Sequence, residues 1–247
     1  LAREHSSRTV EGGHMRVLLS AILLGISVCA VPSIASAEYQ PRVATEEEQL
    51  NVAMVMRAQG KLDTALEIAE QLIRAHDKIA SKEKRHSYSA RSPDQLFAYL
   101  TTSAGASEES VVMDSTWGYA LYLKGFILID LRRGEEARDF LERAVTLSPS
   151  NAQFIGELAE WHKARGRWEE ALALFQRADE ATILSPEDVR AREKGRTLRG
   201  IGFVQIELGK LQEAETTFKK CLEIDPGDQR AKNELEYINQ TRNKARS

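Results

Sequence analysis

"IELGKLQEAETTFKKCLEIDP", residues 206–226, reads as the end of one helix, a sharp reversal at Gly209 and a second helix closed by Pro226. Within the second helix, Ala214, Phe218 and Cys221 are spaced four and three apart, which places them on one face. Two earlier stretches are built the same way: "HKARGRWEEALALFQRADEA" at 162–181 and "IDLRRGEEARDFLERAVTLSP" at 129–149. Self-similarity at a fixed period marks a repeat array. Helix pairs that cannot bury their apolar stripes alone stack into one continuous core.

The alanine after each turn gives the period. Ala65, Ala137, Ala171 and Ala214 are separated by 72, 34 and 43 residues. Thirty-four is the unit; the first gap is two units plus four and the last is one unit plus nine. Residues 195–228 supply Gly202, Gly209, Ala214, Phe218, Cys221 and Pro226. Residues 152–185 supply Ala159, Gly166, Ala171, Phe175 and Ala178. Residues 118–151 supply Gly125, Ala137, Leu141, Ala144 and Pro149, with Arg132 where the turn glycine belongs. Residues 46–79 supply Ala53, Gly60, Ala65, Ala69 and Leu72, with no proline.

On these residues the chain resembles tetratricopeptide-repeat proteins. The resemblance implies an all-α fold, a right-handed α-solenoid of antiparallel helix pairs. About four units are expected, one within 38–79 and three across 118–228, closed by a cap helix and tail at 229–247. The pattern has its own physics. Gly202 and Ala214 let two backbones approach, Phe218 fills the space beyond, Gly209 supplies a positive φ and Pro226 stops the helix. Ser185-Pro186-Glu187-Asp188 is a strong helix start, so the first helix of the last unit should begin about nine residues early and run to Glu207.

The rest of the chain bounds the function. It has 247 residues, 29% charged and 42% apolar, with net charge −3, so nothing pulls it toward nucleic acid. "MRVLLSAILLGISVCAVPSIASAE" opens at Met15 with a positive start and a 15-residue apolar run, and closes on Ala35-Ser36-Ala37. Residues 15–37 therefore read as a secretory signal peptide, with a retained membrane anchor as the alternative. The run is short of the roughly 20 residues a spanning helix needs, so no stable membrane span is expected in the mature protein. Residues 1–14 read as a non-native extension ahead of Met15. The protein is expected to be exported to the periplasm, keeping one cysteine, Cys221, as a buried thiol and hence no disulfide framework.

No catalytic constellation is legible. His76, His86 and His162 lie in no metal-ligand spacing, and no nucleophile elbow or phosphate-binding glycine loop occurs. We expect no enzyme activity, no metal and no cofactor. Residues 80–117, which contain "SKEKRHSYSARSPDQLFAYLTTSAGASEES", interrupt the array. They read either as a degenerate repeat or as a partly ordered insertion with one short helix from Pro93 to Leu100. Lys82, Lys84, Arg85, His86 and Arg91 form a basic run there, with Tyr88 among them.

Function is then left to a surface. The resemblance implies a concave face lined by the first helix of each pair. In register, that face carries Tyr119, Tyr122 and Phe126 in the second unit and Arg196, Arg199 and Phe203 in the last. An aromatic stripe at helical spacing can equally be core, and both readings stay open. The tetratricopeptide domains that grip chaperone C-termini use a clamp of Lys, Arg and Asn; the asparagines are missing here, so that activity is not carried over. The expectation is a non-enzymatic scaffold that binds a peptide or protein segment in the cell envelope. The alternative is an accessory protein, enzymatic or binding envelope polysaccharide through the basic run at 80–91.

Overall fold

The computed structural model describes residues 44–105 and 109–244. The expected signal peptide lies outside them. Among the described residues the chain forms four antiparallel helix pairs, a small β-α-β insertion and a closing helix. The pairs are α1 (Glu46–Ala58) with α2 (Leu62–Ala80), α4 (Thr116–Asp130) with α5 (Gly134–Leu147), α6 (Ala152–Lys163) with α7 (Trp168–Ala181), and α8 (Glu187–Glu207) with α9 (Leu211–Ile224). The insertion contributes β1 (His86–Ser89), α3 (Pro93–Gly105) and β2 (Ser110–Met113), and α10 (Gln229–Lys244) closes the array.

Local chemistry sets the helix ends. The Thr45 hydroxyl accepts from the Glu48 N–H, and the Thr45 N–H donates to the Glu48 carboxylate at 2.8 Å, a capping box that starts α1. All four pairs then turn in one way. The residue that reverses the chain has positive φ: Gly60 74°, Arg132 60°, Gly166 67° and Gly209 74°. The following N–H donates back to a carbonyl five residues earlier, as from Lys61 to Met56, Arg133 to Leu128, Arg167 to His162 and Lys210 to Gln205. That bond closes the helix end and needs the left-handed conformation before it. Arg132 holds that conformation although it is not glycine.

Between the helices of a pair, backbone meets side chain directly. A Cβ on Gly125 would lie 2.8 Å from Leu141, and one on Gly202 would lie 2.7 Å from the Phe218 ring. Gly200 plays the same part toward the preceding unit: a Cβ there would meet the Phe175 ring at 2.5 Å. Ala65, Ala137, Ala171 and Ala214 are fully buried, as are Ala144 and Ala178 behind them. The core falls into two clusters that share the third pair, with Ala178 and Ala181 in one and Ala159, Ala171 and Phe175 in the other. Helix α8 begins two turns early, after the 3-10 turn Thr182–Leu184, and α10 buries Ala231 and Ile238 under an otherwise polar surface.

Residues 80–117 are no degenerate repeat. Strands β1 and β2 pair in parallel, from His86 with Ser110 to Ser89 with Met113, and α3 crosses between them. The helix is longer than the Pro93–Leu100 expectation. The insertion leaves the stack unbroken, since α2 packs directly on α4. It sits on the turns between units through polar contacts. Gln95 Nε2 donates to the Ser150 carbonyl at 3.0 Å, the Ser150 N–H donates to the Tyr99 hydroxyl at 3.1 Å, and the Ser148 hydroxyl donates to the Ser89 carbonyl at 2.7 Å. Tyr99 is buried and stacks on Tyr88, with ring centroids 4.9 Å apart.

Two substitutions test this account through urea-denaturation midpoints. Arg132→Gly relieves the left-handed penalty and is expected to raise stability by about 1 kcal/mol. Gly200→Ala forces a methyl against the buried Phe175 ring and is expected to lower it by about 1–3 kcal/mol.

Candidate functional site

The first helices α1, α4, α6 and α8 line one face, continued by α10, and three cavities open along it. One of about 770 Å³ lies between α1 and α4, with Leu50, Met54, Tyr119 and Gln153 in its wall. A second, of about 290 Å³, lies between α6 and α8 around Gly156 and Arg196. A third of similar size is walled by Lys163, Arg199, Phe203 and Arg230, where α6, α8 and α10 meet. Neighbouring cavities share residues, Gln153 between the first two and Arg196 between the last two, so they form one groove.

The aromatic stripe stands half-buried on α4, with Tyr119 in the wall of the first cavity, between the two readings left open above. Its seat is Phe154, fully buried on α6. Tyr122 stacks on that ring at 5.2 Å and Tyr119 meets it edge-on at 5.0 Å. The Tyr119 hydroxyl donates to Gln153 Oε1 at 3.3 Å. Phe126 carries the Arg57 guanidinium 3.8 Å over its ring, and Arg57 Nε reaches Asp130 at 2.8 Å. All three rings are packed against neighbours and remain partly exposed.

The arginines are not free cations. Arg196 donates to Glu157 at 2.6 Å, and Arg199 to Asp228 at 2.6 Å. The acids lie beneath: the side chains of Glu157 and Asp228 are 8% and 6% exposed, against 38% and 29% for Arg196 and Arg199. Burial pushes the Glu157 carboxyl above its ordinary value, and the Arg196 charge offsets part of that. For Asp228 burial acts in the same direction. The Ala231 N–H and the Arg199 guanidinium overcome it and hold the carboxyl below the usual range. Asp228 also caps α10 by accepting the Arg230 and Ala231 N–H groups at 3.1 Å. Phe203 stands half-buried beside them, packed on the core and near Trp168 at 6.3 Å between ring centres, with Lys163 Nζ 5.0 Å from its own ring centre.

Sequence reasoning grouped Arg91 with the basic run of the insertion, and the structure sets it apart from that run. Its guanidinium is buried against Glu193 of α8, with bonds of 2.8 and 2.6 Å, and both side chains are under 10% exposed. It also reaches the Ser185 hydroxyl at 3.2 Å, and it approaches Tyr119 of α4 and Gln153 of α6 at 3.4 and 3.5 Å. One insertion residue thus joins three units. Arg85 is held by Glu83 at 2.6 Å. The basic run is therefore not one exposed patch. Sequence reasoning also missed Phe154, Glu157, Glu193 and Asp228. Only Asp228, an acid just ahead of a helix, carried a local signal.

Among the described residues, no group of three or more His, Cys, Asp or Glu side chains could hold a metal ion. No helix among them is long and apolar enough to cross a membrane.

Comparison with known families agrees with this geometry. Two family models, each described as Tetratricopeptide repeat, match residues 118–151 and 150–226. The chain is a tetratricopeptide-repeat protein. Of solved structures, PilF of Pseudomonas aeruginosa is similar with a TM-score of 0.55 and 12% identity, over 81% of this chain and 69% of that one. The MamA protein matches with a TM-score of 0.52 and 16% identity, over 80% of this chain and 82% of that one. At these identities the likeness is one of fold. The first TPR of Spaghetti (RPAP3), solved bound to HSP90 peptide SRMEEVD, is 23% identical over 52% of this chain and 95% of that one, with a TM-score of 0.46.

The inter-unit ion pair gives this tetratricopeptide array a testable weak point. Burial works to raise the Glu193 pKa, but Arg91 outweighs it and the carboxyl sits below its ordinary value. A lowered folded-state pKa adds stability above the unfolded value, about 4.3 for Glu, and that stability is lost as pH falls through the folded value. The denaturation midpoint should therefore drop on acidification, and less steeply in Glu193→Gln. At neutral pH, Arg91→Ala leaves a buried carboxylate unpaired and is expected to cost about 3–5 kcal/mol, part of it recovered by adding Glu193→Gln.

Proposed function

We propose that the protein is a non-catalytic interaction module that takes a segment of a partner protein along the groove of its first helices. The observation that carries this reading is the third cavity. There a half-buried Phe203 and two guanidiniums, each fixed by a buried acid, line one open cavity. Groups already held in place lose little side-chain freedom on binding. The groove is long and shallow rather than a closed pocket, a form suited to an extended or helical segment with large apolar side chains.

We further propose that the module works after export, in the periplasm of a Gram-negative envelope. The positive start, apolar run and Ala35-Ser36-Ala37 motif of residues 15–37 support this. The partner would then be an envelope protein. The polysaccharide alternative loses ground because Arg91 and Arg85 are both engaged within the protein.

Peptides selected from a random library on the purified protein provide the test, with affinities read by fluorescence anisotropy. Phe203→Ala is expected to weaken groove binders by roughly thirtyfold, the loss of a hot spot worth about 2 kcal/mol. Its helical circular-dichroism signal should be unchanged. Phe97→Ala, at an exposed position on α3 outside the groove, should leave affinity as it was. Equal effects of the two substitutions would reject the groove. N-terminal sequencing of the protein released by osmotic shock should start at Glu38; a chain retaining Met15 on membranes would reject export.

A further inference from the structure

The groove differs in charge from end to end. In the cavity between α1 and α4 the wall carries Glu46, Glu47 and Asp114, and no Lys or Arg. The Glu46 carboxylate has His76 beside it at 3.0 Å. Glu47 makes no ion pair among the described residues, and the Asp114 carboxylate accepts the Thr116 N–H at 2.8 Å. Leu50, Met54 and Tyr119 supply apolar wall between these acids. Such a cavity suits a lysine or arginine side chain, whose methylene stem covers apolar surface while its head stays with the carboxylates.

The end toward α10 has the opposite character. Glu157 and Asp228 lie beneath their arginines, so a ligand in the groove meets guanidinium first. Arg192 and Arg230 line the same end and make no ion pair among the described residues. Three acids line it as well, and one of them, Glu193, is paired with Arg91 at 2.6 Å. Glu160 is tied to Lys163 at 2.5 Å, and burial, with Glu207 adding to it, pushes the Glu234 carboxyl above its ordinary value. From α1 through α4 and α6 to α8 is three helix-to-helix steps of about 8–10 Å each, or roughly 27 Å. The Debye length at physiological salt is about 8 Å, so each end acts on what lies against it.

We infer that the groove receives a bipolar segment of a partner protein, its basic end between α1 and α4, its acidic end between α8 and α10, and large apolar side chains between. About eight extended residues span that distance at roughly 3.3 Å each. The inference rests on the reading of the groove as the binding face, and adds to it the chemistry and placement of the occupant.

The probes are synthetic fluorescent peptides of one composition: a Lys-Lys block, a Leu/Phe centre and a Glu-Glu block, made in both chain orders, and an isomer with the charges alternated. One bipolar order is expected to bind at least about tenfold more tightly than the alternated isomer. Glu47→Lys should remove most of that preference and improve binding of a peptide with Glu-Glu at both ends. A photo-crosslinker beside the Lys-Lys block should mark residues 45–54 or 114–119, and one beside the Glu-Glu block residues 196–203 or 230–234. Equal affinity for bipolar and alternated peptides, both lost in Phe203→Ala, would overturn the polarity and leave the groove standing. Crosslinks with the ends exchanged would do the same. Failure of every peptide to bind, binding indifferent to Phe203→Ala, or a groove closed by a second copy, seen as a sedimenting dimer that excludes peptide, would overturn both.

Discussion

Two helices can share a core only as closely as their backbones can approach, and that distance fixes everything else in this array. Where α8 crosses α9, Gly202 removes the side chain that would hold the helices apart, and the Phe218 ring occupies the vacated volume. One residue pair sets the spacing within a unit. Two residues earlier, Gly200 does the same toward Phe175 of the unit before. Helix α8 is thus close-packed on both flanks, with its third side left for the groove. Arg196, Arg199 and Phe203 are spaced three and four apart on that third side. The groove is what remains of each first helix after its two packing faces are used.

A stack built only from nearest-neighbour contacts has little to fix its pitch over several units. The insertion supplies a longer-range tie. It leaves between α2 and α4 without separating them and spans the turns that follow α5 and α7. Its Arg91 then joins the faces of α4, α6 and α8 around one guanidinium. Buried ion pairs often contribute little net stability, because desolvation offsets the attraction. Their geometry is nevertheless demanding. Here the demand falls on the relative placement of three first helices, and therefore on the shape of the groove between them.

What was legible in the sequence followed from periodicity. Ala137, Ala171 and Ala214 could be aligned because the same physical need recurs at a fixed distance, and the early start of α8 was visible in Ser185-Pro186-Glu187-Asp188. The insertion was opaque because it inverts the usual pattern. In α3 the buried positions are Gln95, Tyr99 and Ser103, while Leu96, Phe97 and Leu100 point outward. Hydrophobic periodicity cannot find an interface made of hydrogen bonds to backbone. The positive φ of Arg132 was equally hidden, since only its place in the repeat hinted at it. Arg196 and Arg199 were found on the groove face, but their acids come from α6 and from the start of α10. Only a folded chain brings them together.

The same arrangement explains how a groove can present cations without becoming a general sink for anions. A guanidinium on a free side chain would be mobile and would lose rotamer freedom on binding. Arg196 and Arg199 are each anchored at one edge by a buried carboxylate, which fixes their direction and cancels most of their charge at a distance. What survives is short-range: donors pointing outward that matter to a ligand already in contact. Specificity then comes from matching several fixed groups at once, the aromatic seat on Phe154, the ring of Phe203 and the outward donors, rather than from net charge. That is consistent with a chain whose overall charge is only −3, and it places the selectivity of the groove in its geometry.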